Sequence, residues 1–337
     1  MTDSDRPLPS LSVIIPTLGR NQCLLDTVRY LSVQDYPDWE CLVVCQGDNC
    51  TRLAEQLTEI LPGQLRLFHL AEPNASLARN IGLLEARGEV ALFLDDDVLI
   101  ESTDFLSKHG RNYLFRDCSG VVGQVLSPER LHRTTRHWMS YLRRNGWLYF
   151  PRNFTKRVPI RNGVSCNLSV RRQQALNIGG MDAQFEKGAH REESDFCLRY
   201  TDRFGLMVFD PEITLVHLGE RRGGCRAWGV SAGVHPRHHV AGEWYFISRG
   251  LQCGTIKLLD VPHHIGALIR RQILNRPNLH SLGQIFVALR RTLEGLRDAR
   301  TKLSSGPRYA NSVGRDDYRE ISVAGTCTKL CVQDRYE

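Results

Sequence analysis

No run in this 337-residue chain approaches 18 apolar residues, so the sequence offers no candidate for a membrane-spanning helix. The opening residues, MTDSDRPLPS, lack the apolar stretch of a secretory signal and predict a cytoplasmic chain. There is no C-x-x-C pair among the 11 cysteines, and Cys41, Cys45 and Cys50 are spaced wrongly for a structural zinc knuckle. Buried free thiols in a reducing compartment are the expectation. Zinc-finger spacing, an RNP-type aromatic strand and long basic tracts are also missing. The net charge of +7 therefore gives no sign of nucleic-acid binding, and it suits an anionic ligand or an acidic membrane surface instead. No internal repeat is visible.

What is present is the composition of a soluble globular chain, 42% hydrophobic and 24% charged, long enough to bury a full core. LSVIIPTLG (11–19), WECLVVCQG (39–47), QLRLFHL (64–70) and VALFL (90–94) read as buried strands. Between them, 21–34, 51–61 and 76–88 carry helical spacing, the last closed by Gly88. Continuously apolar strands alternating with short helices predict an α/β fold: a mostly parallel, Rossmann-like central sheet flanked by helices. Ligands of such sheets gather beyond the carboxyl ends of the strands. Pro16-Thr17, Gln46-Gly47-Asp48 and Asp95–Asp97 occupy those ends.

The three consecutive aspartates are the feature that asks for an explanation. Two neighbouring carboxylates near a surface repel by up to ~4 kcal/mol, so a trio needs a neutralising partner. In extended backbone Asp95 and Asp97 project to one side and Asp96 to the other. A pair of carboxylates at a strand end suits Mg2+ or Mn2+, whose remaining positions are shared with water and substrate phosphates. A second acidic cluster, Glu192-Glu193-x-Asp195, has two compatible readings: charges that complement a helix N-terminus, and a carboxylate base beside a substrate. His217 ends an apolar run and is either a packed histidine or, beside a metal-bound acid, a ligand. Gly223-Gly224, flanked by Arg221, Arg222 and Arg226, forms an anion-closing loop or a plain turn.

Two other motifs carry less. GVSAG (229–233) matches the G-x-S-x-G nucleophile elbow, with Asp260 and His263 following in hydrolase order, but RRGGCRAW before it is a poor strand, which weighs against a serine hydrolase using Ser231. HPRHH (235–239) offers His235 and His239 to a metal; Pro236 and the lack of a nearby acid favour an exposed helix start.

In order along the chain, SVIIPTLGR, CLVVCQGD, NASLARNIGLLEARGEVALFLDDDV, GVSCNLSVRRQQALNIGGMDAQFEKGAHREESDFCLR and LVHLGERRGGCR resemble the inverting family 2 nucleotide-sugar glycosyltransferases, which have a GT-A fold. The resemblance covers residues 9–225 and implies a donor-binding half (9–100) and an acceptor half (101–225). It implies Pro16, Thr17 and Arg20 at the nucleotide base and ribose, Gln46 at the base, and Arg79-Asn80 beneath the nucleotide. Asp95 and Asp97 correspond to the D-x-D pair, with Asp96 on the donor side. Asp97, Asp95 and His217 are then the metal ligands for Mg2+ or Mn2+, and Glu193 is the base. Glu192, Gly163 and Arg222 fall on the acceptor side. The partners implied are a nucleotide-sugar donor and a hydroxyl acceptor, either a glycan or a lipid-linked sugar. Two positions depart from the family pattern: Cys45 stands where an acidic residue usually ends the second strand, and Glu193 replaces an aspartate. A non-catalytic nucleotide-sugar- or anionic-glycan-binding protein of the same fold is the rival reading. Beyond 225 a helical extension (226–303) is expected, then a loose tail (304–337). In 281–297, Leu282, Ile285, Phe286, Leu289, Leu293 and Leu296 form one apolar face among arginines. Packing as a lid or dimer surface is favoured there over contact with an acidic membrane, because the apolar face looks like ordinary core.

Overall fold

The computed structural model describes residues 7–47, 50–129, 131–133, 150–188, 190–229, 236–269 and 282–322. Its centre is a ten-stranded sheet of order β10 (Tyr318–Ile321), β3 (Leu65–Leu70), β2 (Trp39–Gln46), β1 (Leu11–Thr17), β4 (Val90–Leu94), β8 (Asn167–Arg171), β6 (Gly120–Leu126), β9 (Met207–His217) and β5 (Val98–Leu99), with β7 (Val158–Ile160) paired to β9. The first four strands in the chain are β1 (Leu11–Thr17), β2 (Trp39–Gln46), β3 (Leu65–Leu70) and β4 (Val90–Leu94). They are parallel to one another, as their continuous burial predicts. Three helices connect them: α1 (Asn21–Ser32), α2 (Thr51–Ile60) and α3 (Ala75–Glu85). Asn74 caps α3 by accepting from the Leu77 backbone N–H at 2.9 Å.

Beyond β4 the sheet turns mixed. β8 (Asn167–Arg171) runs antiparallel to β4 and to β6 (Gly120–Leu126), while β9 (Met207–His217) is parallel to β6. The two-residue β5 (Val98–Leu99) and β7 (Val158–Ile160) each pair antiparallel to β9. The expected mostly parallel sheet is thus all-parallel across its first four strands and mixed beyond them. Against the sheet lie α4 (Phe105–Asn112), α5 (Arg172–Asn177) and α6 (Glu192–Phe204). One large cluster joins the buried faces of β1, β4, β6 and β8 with Phe196 and Tyr200 of α6.

The last part of the chain contains α7 (Arg237–Cys253), α8 (Val261–Ile269) and α9 (Leu282–Ser305). Tyr245 of α7 donates to the buried Asp182 at 2.6 Å, tying the extension to the acceptor half. Two expectations are corrected here. The expected apolar face of α9 is not core: Phe286 is 70% exposed, Leu289 59% and Leu293 61%. The helix turns a different, small-residue face to α7, with Gly295 against Val240 and Ala241, and Ala299 buried. Backbones approach closely where side chains are small, so this face outcompetes the bulkier one. The stretch after 304 is not loose as far as it is described. Ala310 donates its N–H to Gly179 O at 2.8 Å, and β10 (Tyr318–Ile321) adds antiparallel to the edge strand β3. Residues 323–337 lie outside the described residues.

Candidate active site

β4 stops at Leu94 and β5 begins at Val98, so the three aspartates form the link between two strands. Val98 pairs with His217 in register, which brings the end of β9 over the trio. His217 Nε2 lies 3.5 Å from Asp95 Oδ2 and 3.3 Å from Asp97 Oδ1. Asp97 is fully buried, its Oδ2 accepts from the Glu220 backbone N–H at 2.8 Å, and its Oδ1 has no hydrogen-bond partner among the described residues. Burial opposes charge on His217, but the adjoining carboxylates of Asp95 and Asp97 hold the imidazolium up to about 10. Burial would raise Asp95 too, yet the neighbouring His217 and the Arg79 charge bring it down to about 2.

One ligand atom from each of Asp95, Asp97 and His217 lies within 4.8 Å of the others. Two ligands ~2.1 Å from an octahedral ion and at right angles lie ~3 Å apart, close to the His217–carboxylate separations. Two carboxylates, one imidazole and an orphaned buried carboxylate oxygen fit a divalent cation, with the Asp97 Oδ1 left to receive it.

In the bend that links β4 to β5, Asp96 does a different job from its neighbours. Its Oδ2 accepts from Thr17 Oγ1 at 2.6 Å and its Oδ1 from Arg20 Nη1 at 3.1 Å. Burial pushes its carboxyl up to about 6 against the pull of Arg20 and Thr17. Arg20 also donates to the backbone oxygens of Arg222 and Glu220, at 2.8 and 3.0 Å. The Gly223-Gly224 turn is thereby fastened over the end of β1, where Gly224 N–H donates to Leu18 O at 2.7 Å. A Cβ on Gly223 would stand 2.4 Å from Leu18 O, so only glycine, here at φ 67°, allows that approach.

The second acidic cluster opens α6. Glu193 Oε2 accepts from both the backbone N–H and the Oγ of Ser165, at 3.0 and 3.1 Å. Glu192 is buried, and that burial together with the neighbouring Glu193 charge pushes its carboxyl up to about 8. Arg79, 4% exposed, joins the two acidic clusters: it is 3.1 Å from Asp95 and 3.6 Å from Glu192. Before α6 comes Arg191 in left-handed backbone (φ 78°). Its Nε donates to Glu243 of α7 at 2.7 Å, and the same buried carboxylate meets His190 at 3.0 Å and His264 at 3.1 Å.

A cleft of about 500 Å3 gathers these groups. Of the residues expected at the donor side, Pro16, Arg20, Gln46, Arg79, Asp95 and Asp96 line it. Glu192, Glu193 and His217 line it as well. Five others are not in the lining, and of these Asp97 lies buried in the cation-competent group. Thr17 is buried behind the wall as the partner of Asp96. Asn80 grips the Met181 backbone through both ends of its amide, at 2.7 and 2.8 Å, so it fastens the GGMD turn and does not face the cleft. Gly163 packs against Val122, and the side chain of Arg222 is exposed outside the lining. Ser165 and Arg226 line the cleft as well. Ser165 was not expected, and its place inside the GVSCN element was the only signal for it; Arg226 was read as flanking the anion-closing loop or turn, with no place in the cleft assigned. Ser231 and His235 lie outside the described residues, and Pro236 caps α7, the expected helix start.

The free-thiol expectation fails at one pair. Cys45 and Cys50 form a disulfide across the turn between β2 and α2, with Cα atoms 6.3 Å apart. Nothing in a five-residue spacing announces this; the strand–turn–helix geometry brings the ends together. Gln46, between them, uses its amide to accept from Asn74 N–H at 2.8 Å and to donate to Thr17 O at 3.4 Å.

Residues 12–177 match the family model of Glycosyl transferase family 2. The chain carries a family 2 glycosyltransferase core. It is 27% identical over 173 residues to the poly(ribitol-phosphate) beta-N-acetylglucosaminyltransferase TarS of Staphylococcus aureus (strain MW2), covering 42% of this chain and 29% of that protein. The chain thus spans under a third of that curated relative. Among solved structures it resembles the mannosyltransferase PcManGT of Pyrobaculum calidifontis in complex with GDP-Man and Mn2+, with a TM-score of 0.56 at 16% identity over 94% of this chain and 81% of that one. It also resembles S. aureus TarS 1-349 in complex with UDP-GlcNAc, with a TM-score of 0.51 at 16% identity over 88% of this chain and 92% of that one. The fold around the family 2 glycosyltransferase core is a GT-A fold.

Proposed function

We propose that this protein is a metal-dependent inverting glycosyltransferase that moves a sugar from a nucleoside-diphosphate sugar to the hydroxyl of a glycan or lipid-linked acceptor. The observation that carries the reading is a single cleft lined by Asp95 and His217, which with Asp97 form the cation-competent group, and by Glu192 and Glu193. Glu193 takes the proton of the acceptor hydroxyl as that oxygen bonds to the anomeric carbon. The bond from that carbon to the diphosphate breaks at the same time, and its electron pair leaves with the diphosphate. Asp95, Asp97 and His217 would hold a divalent ion, which would supply the charge that stabilises this leaving group. Ser165 fixes the base: two donors on Oε2 keep Glu193 in one rotamer and leave Oε1 for the acceptor. Glu192, raised to about 8, stays protonated near neutrality and spares the cleft a second negative charge beside the diphosphate. Arg79 links the metal-side Asp95 to Glu192 and so holds the two halves of the chemistry in fixed relation.

The relatives' donors guide the test, since TarS 1-349 is seen with UDP-GlcNAc and PcManGT with GDP-Man. The whole chain is incubated with UDP- and GDP-sugars, with Mn2+ or with EDTA, and nucleoside diphosphate release is followed by mass spectrometry. Release from at least one donor that stops with EDTA supports the reading. Tight binding of donors with no turnover in the presence of mixed glycan acceptors favours the non-catalytic binding protein instead.

The exposed row Phe286, Leu289 and Leu293 on α9, interleaved with Arg290 and Arg297, supports a peripheral contact with an acidic membrane. No helix among the described residues is long and apolar enough to cross one. Salt-sensitive binding to vesicles containing anionic lipid, lost in Leu289→Glu/Leu293→Glu, is the outcome expected.

A further inference from the structure

A second cavity, of about 550 Å3, lies between the segment 184–190 and the helices α7 and α9. It is not remote from the catalytic cleft. Lys187 and His190 line both spaces, and His190 stands in the turn that leads directly into Glu192 and Glu193. The dividing wall is unusual backbone. Lys187 (φ 57°) and Arg191 (φ 78°) are the non-glycine residues with positive φ among the described residues, and both flank this turn. Such conformations persist only where the surroundings impose them, and they cluster at ligand clamps. Here α7 imposes them: Glu243 holds His190 and Arg191, and a Cβ on Gly188 would meet His239 Nε2 at 2.7 Å and His238 Nε2 at 2.9 Å.

The charges lining the second cavity favour an anion. Its acids are Glu186 and Asp298, and each is already engaged: Glu186 by Lys302 at 2.8 Å, Asp298 by Arg237 at 2.5 Å. Lys187 makes no ion pair among the described residues and adds an uncommitted ammonium at the junction of the two spaces. His238 adds no charge, since burial and the nearby Lys187 hold it below the usual imidazole range. Neutral hydroxyl groups of a bound chain have Thr301, Ser305 and Gln184 to meet. An anionic group in this cavity, attached to a chain that runs over Lys187 and His190, reaches the Glu193 end of the catalytic cleft.

We propose that this second cavity is an acceptor subsite that takes an anionic group, a phosphate or a carboxylate, borne on a polyhydroxylated chain whose free hydroxyl is presented to Glu193. The proposal rests on reading the first cleft as a glycosyltransferase active site, and it adds the acceptor's chemical class and the place where that acceptor is held. Direct hydrogen bonds to charged groups discriminate an anion from its neutral isostere, so the expected selectivity is large.

The experiment uses the full chain with Mn2+ and calorimetric titration of four probes: glycerol 3-phosphate, glucuronic acid, glycerol and glucose. One or both anions should bind saturably and at least tenfold more tightly than their neutral counterparts. The phosphate and carboxylate arms tell the two sources apart. Thr301→Trp, which fills the cavity from α9 at a residue outside the lining of the catalytic cleft, should weaken anion binding at least fivefold. UDP-GlcNAc binding by the same variant should stay within twofold of the parent. Lys302→Gln, which frees Glu186 to repel an anion, should lower anion affinity at least threefold and serves if the tryptophan variant does not fold. Absence of anion binding, equal binding of neutral probes, or undiminished binding in both variants would overturn the subsite. Metal-dependent donor turnover without anion binding removes the subsite and leaves the transferase reading intact. A chain that turns over no donor at all removes the acceptor role, whatever the titrations give.

Discussion

The two walls of the catalytic cleft are built on different principles. The donor wall comes from the ends of β1, β2 and β4, neighbours in the sheet with their register set by backbone hydrogen bonds, Thr17 opposite Cys45 and Ile14 opposite Phe93. The acceptor wall comes from pieces scattered along the chain: Ser165, the turn 187–191, the start of α6 and Arg226. In the first, the sheet itself places the side chains. In the second, single side chains do it: Asn80 on Met181, Arg20 on Glu220 and Arg222, Glu243 on Arg191. A wall fixed by a ladder tolerates the loss of one group, whereas a wall fixed by individual anchors changes shape when one is cut.

The largest effect is expected on the anchored wall, at the base. Glu193→Gln keeps the shape and an acceptor for the Ser165 donors but cannot take a proton. Turnover should drop at least a hundredfold with donor affinity within twofold, measured by single-turnover kinetics and donor titration. Near-normal turnover would remove Glu193 from the chemistry and turn attention to Glu192.

Next comes the metal group, where the ladder-built wall meets β9. Asp97→Asn should weaken Mn2+ binding at least tenfold, read by titration of Mn2+ against the donor complex. The pH dependence has a definite sign. With no metal bound, His217 carries a proton up to about 10 because Asp95 and Asp97 favour its charged form, and a cation must displace that proton. Apparent Mn2+ affinity should therefore rise with pH from 6 to 9, by up to tenfold per unit, and fall as the solution is acidified. In His217→Gln the slope should flatten. A wild-type affinity independent of pH would show that His217 is not a ligand.

How much of this was legible follows the same division. The strand ends were readable because period and burial are local: a buried strand followed by Pro16-Thr17 or by Asp95–Asp97 declares where its end lies. The partners of Asp96, Thr17 and Arg20, were not readable this way, because the aspartates form a bend and not extended strand. The anchored wall was readable only as a resemblance. Asn80 and Gly163 sit in recognisable motifs, yet their side chains and backbone serve packing partners 101 and 34 residues away in sequence. No periodicity encodes such a partner. The same holds for α9, where the bulky face looked like core and the face of Gly295 and Ala299 proved to be the one that packs.

A third test cuts an anchor without touching the cleft. Glu243 lies 5% exposed between Arg191, His190 and His264. Burial works against its charge, but Arg191 and the two imidazoles hold its carboxyl well below the usual range. A carboxyl with a depressed folded pKa contributes stability above its ordinary pKa, and that stability is lost as pH falls through the folded value. Glu243→Ala leaves Arg191 buried without its partner, a change that costs about 3–5 kcal/mol in comparable sites. The melting temperature at neutral pH should fall, and the deficit against the parent should shrink below pH 4. In the folded variant kcat should drop about tenfold while donor KM holds, because Arg191 sets the start of α6 and hence Glu193. Glu243→Gln, which retains an acceptor for Arg191, should recover part of kcat. An unchanged kcat in Glu243→Ala would mean that the acceptor wall keeps its shape without α7.

The smallest effect is expected on the ladder-built wall. Cys45, one residue before the end of β2, stands where the resemblance implies an acid, and its sulfur is committed to Cys50, so it cannot accept a hydrogen bond from the base as a carboxylate would. Gln46 is held independently, by Asn74 on one side and Thr17 on the other. Breaking the disulfide therefore loosens the turn beyond Gln46 without moving Gln46 itself. Cys50→Ser, or reduction of the parent, should raise donor KM by two- to fivefold and leave kcat unchanged, measured with UDP-GlcNAc under matched metal. A fall in kcat equal to that of Glu243→Ala would erase the distinction between the two walls, because a group set by the sheet would then matter as much to the chemistry as one set by an anchor.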